Sequence, residues 1–352
     1  MRWIFLLLIV LMLFGCSKDQ EPARYTHYDS MIDSGKALAM GDERDVYVFC
    51  DLKNWNKVSK IISGSIEREL MLVYPEKYFK LIYTPIGEFE KYAQYRNLLF
   101  IGDLESDAAV STHMRESLVE DFISRVKQSG GDLMVAQNFS SRDQLIMYLL
   151  ATDPDNLHKL SALQSENIFR MLLKRYRDRL GYQAYQVNVI PSSFWEPYPF
   201  SLKIPENFTL YSNDIKGNFL SFLYRARMQN REIPDKYINI YYEDMPDKAD
   251  LTHDWLVKSR QLIGTKYFEG DVFDPKAVRQ DSLNFAGYDA LRLTGAWTNA
   301  KHLIGGAFQC FAFWHNGKAY VVDNSVYFPA GDKLSVLQEL MVISRSISLK
   351  QE

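Results

Sequence analysis

Cysteine is scarce in this chain: three residues in 352, Cys16, Cys50 and Cys310. Three thiols build neither a disulfide-stapled scaffold nor a four-cysteine zinc site. An excess of one charge is missing too. Lysine plus arginine number 41 against 44 aspartates and glutamates, a net charge of −3, and no basic block forms a stripe. No nucleic-acid partner is expected, because binding to phosphates needs such a footprint. The six histidines, His27, His113, His158, His253, His302 and His315, show no metal-ligand spacing, so no metal or other cofactor is expected. The G-x-S-x-G elbow, the P-loop and the G-x-G-x-x-G fingerprint are all absent from the sequence. Ser282, His253 and Asp289 lie near one another along the chain, but a triad is defined by geometry. No catalytic residue is assigned. What remains is an ordinary globular composition, 47% hydrophobic and 24% charged, long enough for about two domains.

The first residues carry an address. Arg2 precedes the apolar run Trp3 to Phe14, followed by Gly15 and Cys16. Twelve apolar residues are too few to cross a bilayer, which takes about 20. They suit a secretory signal peptide over residues 1–15. Leu13-Phe14-Gly15-Cys16 resembles a bacterial lipobox, which implies acylation of Cys16 and cleavage before it. Two or three acyl chains hold a protein stably at a membrane, where one binds marginally. The membrane is thus an expected partner through the lipid anchor. Residues 16–44 are expected to form a polar tether, either a coil or a short helix on the domain. Ser17-Lys18-Asp19-Gln20-Glu21 resembles the signal that follows the lipidated cysteine in surface-exposed lipoproteins of Bacteroidota. The expected location is the cell envelope, at the outer membrane, on its periplasmic face or the cell surface.

Residues 45–190 read as a mixed α/β half. Strands are expected at Asp45 to Cys50, Phe79 to Thr84, Leu98 to Ile101 and Asp132 to Ala136, with helices at Leu52 to Leu70, Ser117 to Lys127, Arg142 to Leu150 and Asn156 to Leu180. On the last helix, Lys174, Arg175, Arg177 and Arg179 form a basic stretch. Arg170, Lys174 and Asp178 at steps of four suggest an ion-paired, solvated face; the alternative is contact with anionic lipid heads near the anchor. Residues 191–199, with three prolines in the ten from Ile190 to Pro199, disfavour regular structure and mark a junction. Residues 200–352 read as an antiparallel α+β sandwich half, its strands covered by helices at Asp250 to Tyr267 and Lys333 to Leu349. The fold class is therefore α+β, a two-part layered arrangement of sheets and helices. Cys50 and Cys310, one in each half, are expected to be separate buried thiols; the alternative is that they pair and staple the halves.

Phe194, Trp195, Glu196 and Tyr198 at the junction are candidate ligand-binding residues, since aromatics around one charge suit a groove for a sugar or peptide. The alternative is that they glue the two halves together. Gly305-Gly306 could admit a ligand to the backbone, or could mark a bulge or tight turn.

Arg231-Glu232-Ile233-Pro234-Asp235-Lys236-Tyr237-Ile238, Gly295-Ala296-Trp297 and Ile304-Gly305-Gly306-Ala307-Phe308 resemble a family of Bacteroidota lipoproteins known as domain-of-unknown-function 4837. Arg96-Asn97-Leu98-Leu99 and Arg142-Asp143-Gln144 carry the resemblance into the first half. It implies an envelope origin and supplies no activity. The order of strands and helices in the second half also looks like the Mog1/PsbP-like sandwich. The resulting expectation is a non-catalytic binding or assembly factor with an envelope protein partner. The alternative is an envelope hydrolase acting on glycan or peptide, with Glu196 or Asp289 as acid and base.

Overall fold

The computed structural model describes residues 24–32 and 35–350. The expected signal peptide and Cys16 lie outside the described residues. The first half runs β1 (Asp45–Cys50), α1 (Leu52–Ile66), the hairpin β2 (Glu69–Met71) and β3 (Pro75–Lys77), β4 (Lys80–Thr84), the short α2 (Phe89–Tyr92) and β5 (Asn97–Asp103). It continues with α3 (Ala109–Ser117), α4 (Glu120–Ser129), β6 (Gly131–Gln137), β7 (Leu145–Ala151) and the long α5 (Pro154–Ala184). Five strands form one sheet in the order β4-β1-β5-β7-β6, parallel except for β6. Helices α1 and α5 pack on one face, α3 and α4 on the other. Covered on both sides, β5 and β7 are buried at every residue. This explains a correction: the expected helix Arg142 to Leu150 is strand β7. A central parallel strand is apolar throughout, so its run shows no period that separates it from a buried helix. The expected helix Ser117 to Lys127 is α4, which starts only at Glu120; Leu118 and Val119 are extended and separate it from α3.

The second half contains β8 (Phe200–Ser201), β9 (Thr209–Asp214), β10 (Phe219–Tyr224), β11 (Asp235–Asp244), α6 (His253–Tyr267), β12 (Arg279–Phe285) and β13 (Tyr288–Asn299). It ends with β14 (Ile304–His315), β15 (Lys318–Tyr327), α7 (Lys333–Ser344) and β16 (Ser348–Leu349), which pairs with β8. Seven strands form an antiparallel sheet in the order β12-β13-β14-β15-β11-β10-β9. Leu256 and Ile263 of α6 pack on one face, against Leu293, Phe308 and Val321. Leu337, Leu340 and Met341 of α7 pack on the other, against Phe222, Ile240 and Phe311. The α+β class and the antiparallel second half are as the sequence suggests. Cys50 and Cys310 are both buried and free.

Helix α7 joins the halves. It is wedged between the seven-stranded sheet and α5, and ten of its twelve residues are buried. Its N-terminus is capped from the other half. The buried Glu76 carboxylate of β3 accepts the backbone N–H groups of Lys333 (3.0 Å) and Leu334 (2.7 Å). Two donors that α7 cannot satisfy internally are thereby bound, and the negative charge sits at the positive end of the helix. We expect Glu76→Ala to lower unfolding free energy by about 1–2 kcal/mol, and Glu76→Gln, which keeps an acceptor, by less. Denaturant titration of the two variants checks this; equal losses would assign the effect to packing instead.

Two further expectations change. From Arg24 onward the tether is docked. Arg24 bonds the Tyr185 carbonyl and Asp29, and Leu38 and Met40 bridge to Arg142 and Tyr95. Among its described residues the helical alternative reduces to one 3-10 turn, Asp29–Met31. Nor is the basic stretch of α5 uniformly solvated. Arg175 and Arg179 are 5% and 2% exposed, and both turn inward to Asp143.

Candidate functional site

The loop after α6 builds the wall of a cleft. The carbonyl of Gly264 accepts the backbone N–H groups of Phe268, Gly270 and Asp271, each at 3.2 Å. A Cβ on Gly264 would lie 2.2 Å from the Asp271 oxygen, so only glycine lets the loop fold back this tightly. Val272 and Thr298 then exchange two backbone bonds of 2.9 Å, tying the loop to β13. The cleft between this loop and the sheet has a volume of about 280 Å³.

Its lining is aromatic. Tyr211 of β9 stacks on Phe268 (5.7 Å, 9°), and Tyr237 of β11 stands edge-on to both, at 5.5 and 5.4 Å. Trp297 of β13 and Tyr327 of β15 complete the rings. Trp297 is only 5% exposed, and its indole N–H has no acceptor. Directly across the ladder from it stands Gly306. A Cβ there would fall 1.9 Å from the Val326 oxygen and 2.9 Å from the Trp297 Nε1. Gly306 is therefore neither a bulge nor a turn; it makes room for the indole that lines the cleft.

Charged groups sit among the rings. Asp235 receives Arg225 (2.9 Å) and Arg227 (3.1 Å). Glu269 is bound by Lys301 and by His302 Nε2 (2.9 Å), which holds its carboxyl below the usual range. Asp271 differs: burial pushes its carboxyl up, although the Asn299 amide donates to it at 2.8 Å. Burial likewise raises the Tyr237 phenol to about 12, leaving it a neutral donor at physiological pH. The cleft thus offers aromatic faces and one carboxyl raised by burial, beside the buried, unpaired indole N–H of Trp297. This suits a ring bearing a hydrogen-bond acceptor.

The residues singled out from sequence lie elsewhere. Trp195 and Tyr198 are 2% and 6% exposed, packed with Phe200 and Phe222 on the α7 side of the sheet. Phe194 is partly buried against the same core, its ring stacked on Tyr198 at 5.8 Å; Glu196 is exposed. Ser282 and Asp289 line a separate shallow groove, while His253 Nε2 faces the Asp281 carbonyl at 3.2 Å. Among the described residues no cluster of three or more His, Cys, Asp or Glu side chains could hold a metal ion, and no helix is long and apolar enough to cross a membrane.

These features define the second half as an antiparallel α+β domain with an aromatic cleft on its α6 face. A family model described as domain of unknown function (DUF4837) matches residues 190–346, which include the whole seven-stranded sheet and the cleft. The likeness expected for the first half lies outside that match. None of the curated proteins matches the chain. Solved structures resemble part of it, three of them as follows. One is from Bacteroides thetaiotaomicron VPI-5482, at 8% identity over 44% of this chain and 46% of that one, with a TM-score of 0.28. Another is LpqN, involved in cell envelope biogenesis of Mycobacterium tuberculosis, at 12% over 43% and 83%, with a TM-score of 0.28. The third is the Saccharomyces cerevisiae Ran-binding protein Mog1p, at 11% over 43% and 90%, with a TM-score of 0.29. Likeness at this level is weak.

Proposed function

We propose that this chain is a lipid-anchored cell-envelope protein that binds, without transforming, a single-ring ligand carrying a hydrogen-bond acceptor. The observation that carries the reading is the Trp297 indole N–H, buried in an aromatic cleft with no acceptor of its own. A buried donor left unpaired costs about 1–3 kcal/mol, a cost that a bound acceptor removes. Binding is favoured over hydrolysis because Asp235 is tied to two arginines, and Glu269 to Lys301 and the His302 ring. That leaves Asp271 as the one raised carboxyl in the cleft. The anchor at Cys16 is supported by the lipobox-like Leu13 to Cys16. Eight extended residues reach at most about 28 Å, so docking of the chain from Arg24 onward would keep the domain close to the bilayer.

The test uses the protein extracted from its own membranes in mild detergent and examined by native mass spectrometry. The wild type is expected to carry a small-molecule adduct, and Trp297→Phe, which keeps the ring and removes the donor, to bind it about tenfold to a hundredfold more weakly. Because Trp297 is packed in the core and phenylalanine is smaller, its unfolding free energy should fall by about 1–2 kcal/mol through the cavity left behind, so binding is compared well below the unfolding transition of both proteins. Equal retention of the ligand by Trp297→Phe would overturn the assignment of the cleft. Cys16→Ala is expected to move the protein from the membrane to the soluble fraction; if it stays membrane-bound, the anchor is wrong.

A further inference from the structure

A second cavity, of about 340 Å³, lies between α5 and α7 and is lined by Tyr28, Arg170, Lys174, Arg177, Asp178 and Arg345, among others. Its cations differ in how they are matched. Arg170 pairs with Glu166 at 3.1 Å and Lys174 with Asp178 at 2.7 Å. Arg177 and Arg345 have no carboxylate partner among the described residues. Arg177 is half-buried in the cavity wall. Its Nε donates to Gln338 Oε1 (2.8 Å) and one terminal nitrogen meets the Met341 sulfur (3.5 Å), both uncharged groups. Arg345 is exposed and donates to the Asn284 carbonyl at 2.6 Å, another neutral acceptor. Burial and the neighbouring Arg345 and Arg292 lower the Arg177 pKa to about 10. Arg292 itself is answered by Asp281 at 2.6 Å.

Two guanidinium groups facing one cavity, each with spare donors and neither neutralised, repel each other at a cost that an anion would relieve. A guanidinium fork matches tetrahedral and planar oxyanions, and its charge-assisted bonds are about twice as strong as neutral ones. Tyr28 adds a phenol beside them; its ring is held by stacking on Tyr185 at 5.9 Å. The one carboxylate of the wall, Asp178, is committed to Lys174. We infer that the cavity between α5 and α7 is a phosphate-group site, in which Arg177 and Arg345 together bind the anion. This site is separate from the aromatic cleft and does not rest on the function proposed for it. The phosphate belongs either to a soluble molecule or to a lipid headgroup near the anchor.

The experiment uses the full chain carrying Cys16→Ala, so that no acyl chain binds membranes. Thermal unfolding in inorganic phosphate is compared with chloride at equal ionic strength, and co-sedimentation is measured with phosphatidylcholine vesicles with and without phosphatidylglycerol. A soluble ligand predicts a rise of Tm with phosphate; a lipid headgroup predicts sedimentation only with the anionic vesicles. In either arm Arg345→Gln, at an exposed position that does not threaten folding, should weaken the effect about tenfold or more. Arg177→Gln should do the same, and Arg170→Gln, whose partner is Glu166, should change it little. No response to phosphate or to anionic vesicles, or a response that survives Arg345→Gln unchanged, overturns the site.

Discussion

Asp143→Asn is expected to lower unfolding free energy by about 3–5 kcal/mol, read as a fall in denaturant midpoint at constant m-value. Three arginines converge on this buried carboxylate. Arg179 Nε lies 2.7 Å from Oδ1 and 2.8 Å from Oδ2, Arg96 Nε is 3.3 Å from Oδ2, and Arg175 Nε is 3.4 Å from Oδ1. Removing the charge leaves three guanidinium groups facing one another, with only neutral acceptors such as Asn97 Oδ1, the Glu43 carbonyl and Asn138 Oδ1. Asparagine is the informative replacement. Asp143 adopts a left-handed backbone (φ 65°), which asparagine tolerates nearly as well, so the variant deletes charge without adding strain. Its neighbour Arg142 exchanges backbone bonds of 2.9 Å with Ala37 and Ala39. The docked tether should therefore loosen with it, which hydrogen exchange at Ala39 and Met40 would report. A loss below about 1 kcal/mol would mean that the three arginines reach water once their partner is neutral.

That cluster also shows where reading from the sequence stops. The elements with their own local pattern are legible: Asp45 to Cys50 is β1, and the helical spacing after Asp250 yields α6. The pattern fails where burial is complete. β7 is apolar at every position because helices cover both faces of its sheet, so nothing in Leu145 to Ala151 alternates. Arg175 and Arg179 look like part of a solvated helical face because their local neighbours are charged. The partner that turns them inward stands more than thirty residues upstream, in a turn with no helical relation to them. The candidate site was missed for the same reason. Phe194, Trp195 and Tyr198 are conspicuous because they are adjacent, and adjacency packed them together as core. The cleft draws one ring each from Tyr211, Tyr237, Phe268, Trp297 and Tyr327, gathered by strand order. One signal was available: the small run Gly305-Gly306-Ala307 at the start of β14, where Gly306 leaves space for the Val326 carbonyl and the Trp297 indole.

The floor of the second half yields the other large effect. Arg260 of α6 and Asp323 of β15 form an ion pair of 2.8 Å, with side chains 2% and 0% exposed. Asp323 Oδ2 also accepts from Asn239 Nδ2 at 3.0 Å and from Ser325 Oγ at 3.2 Å, and the Arg260 guanidinium lies 4.8 Å from the Phe308 ring centroid. Asp323→Leu alone strands a positive charge in this dry site and should cost about 3–5 kcal/mol, and Arg260→Met alone, stranding the carboxylate, a similar amount. The double variant should be more stable than either single one. Two apolar side chains repay desolvation that the ion pair meets only in part, and the charges no longer need each other. A coupling of about 2–3 kcal/mol from denaturant titration of the four proteins is the expected result; simple additivity would mean that the two groups do not interact in solution. Ser325 belongs both to this network and to the lining of the cleft. The double variant therefore separates two roles for the buried charges. If it regains stability yet binds the cleft ligand less well, the pair is kept in the core to position Ser325 and the cleft floor. If ligand binding is unchanged, the pair serves only to fix how α6 seats on the sheet.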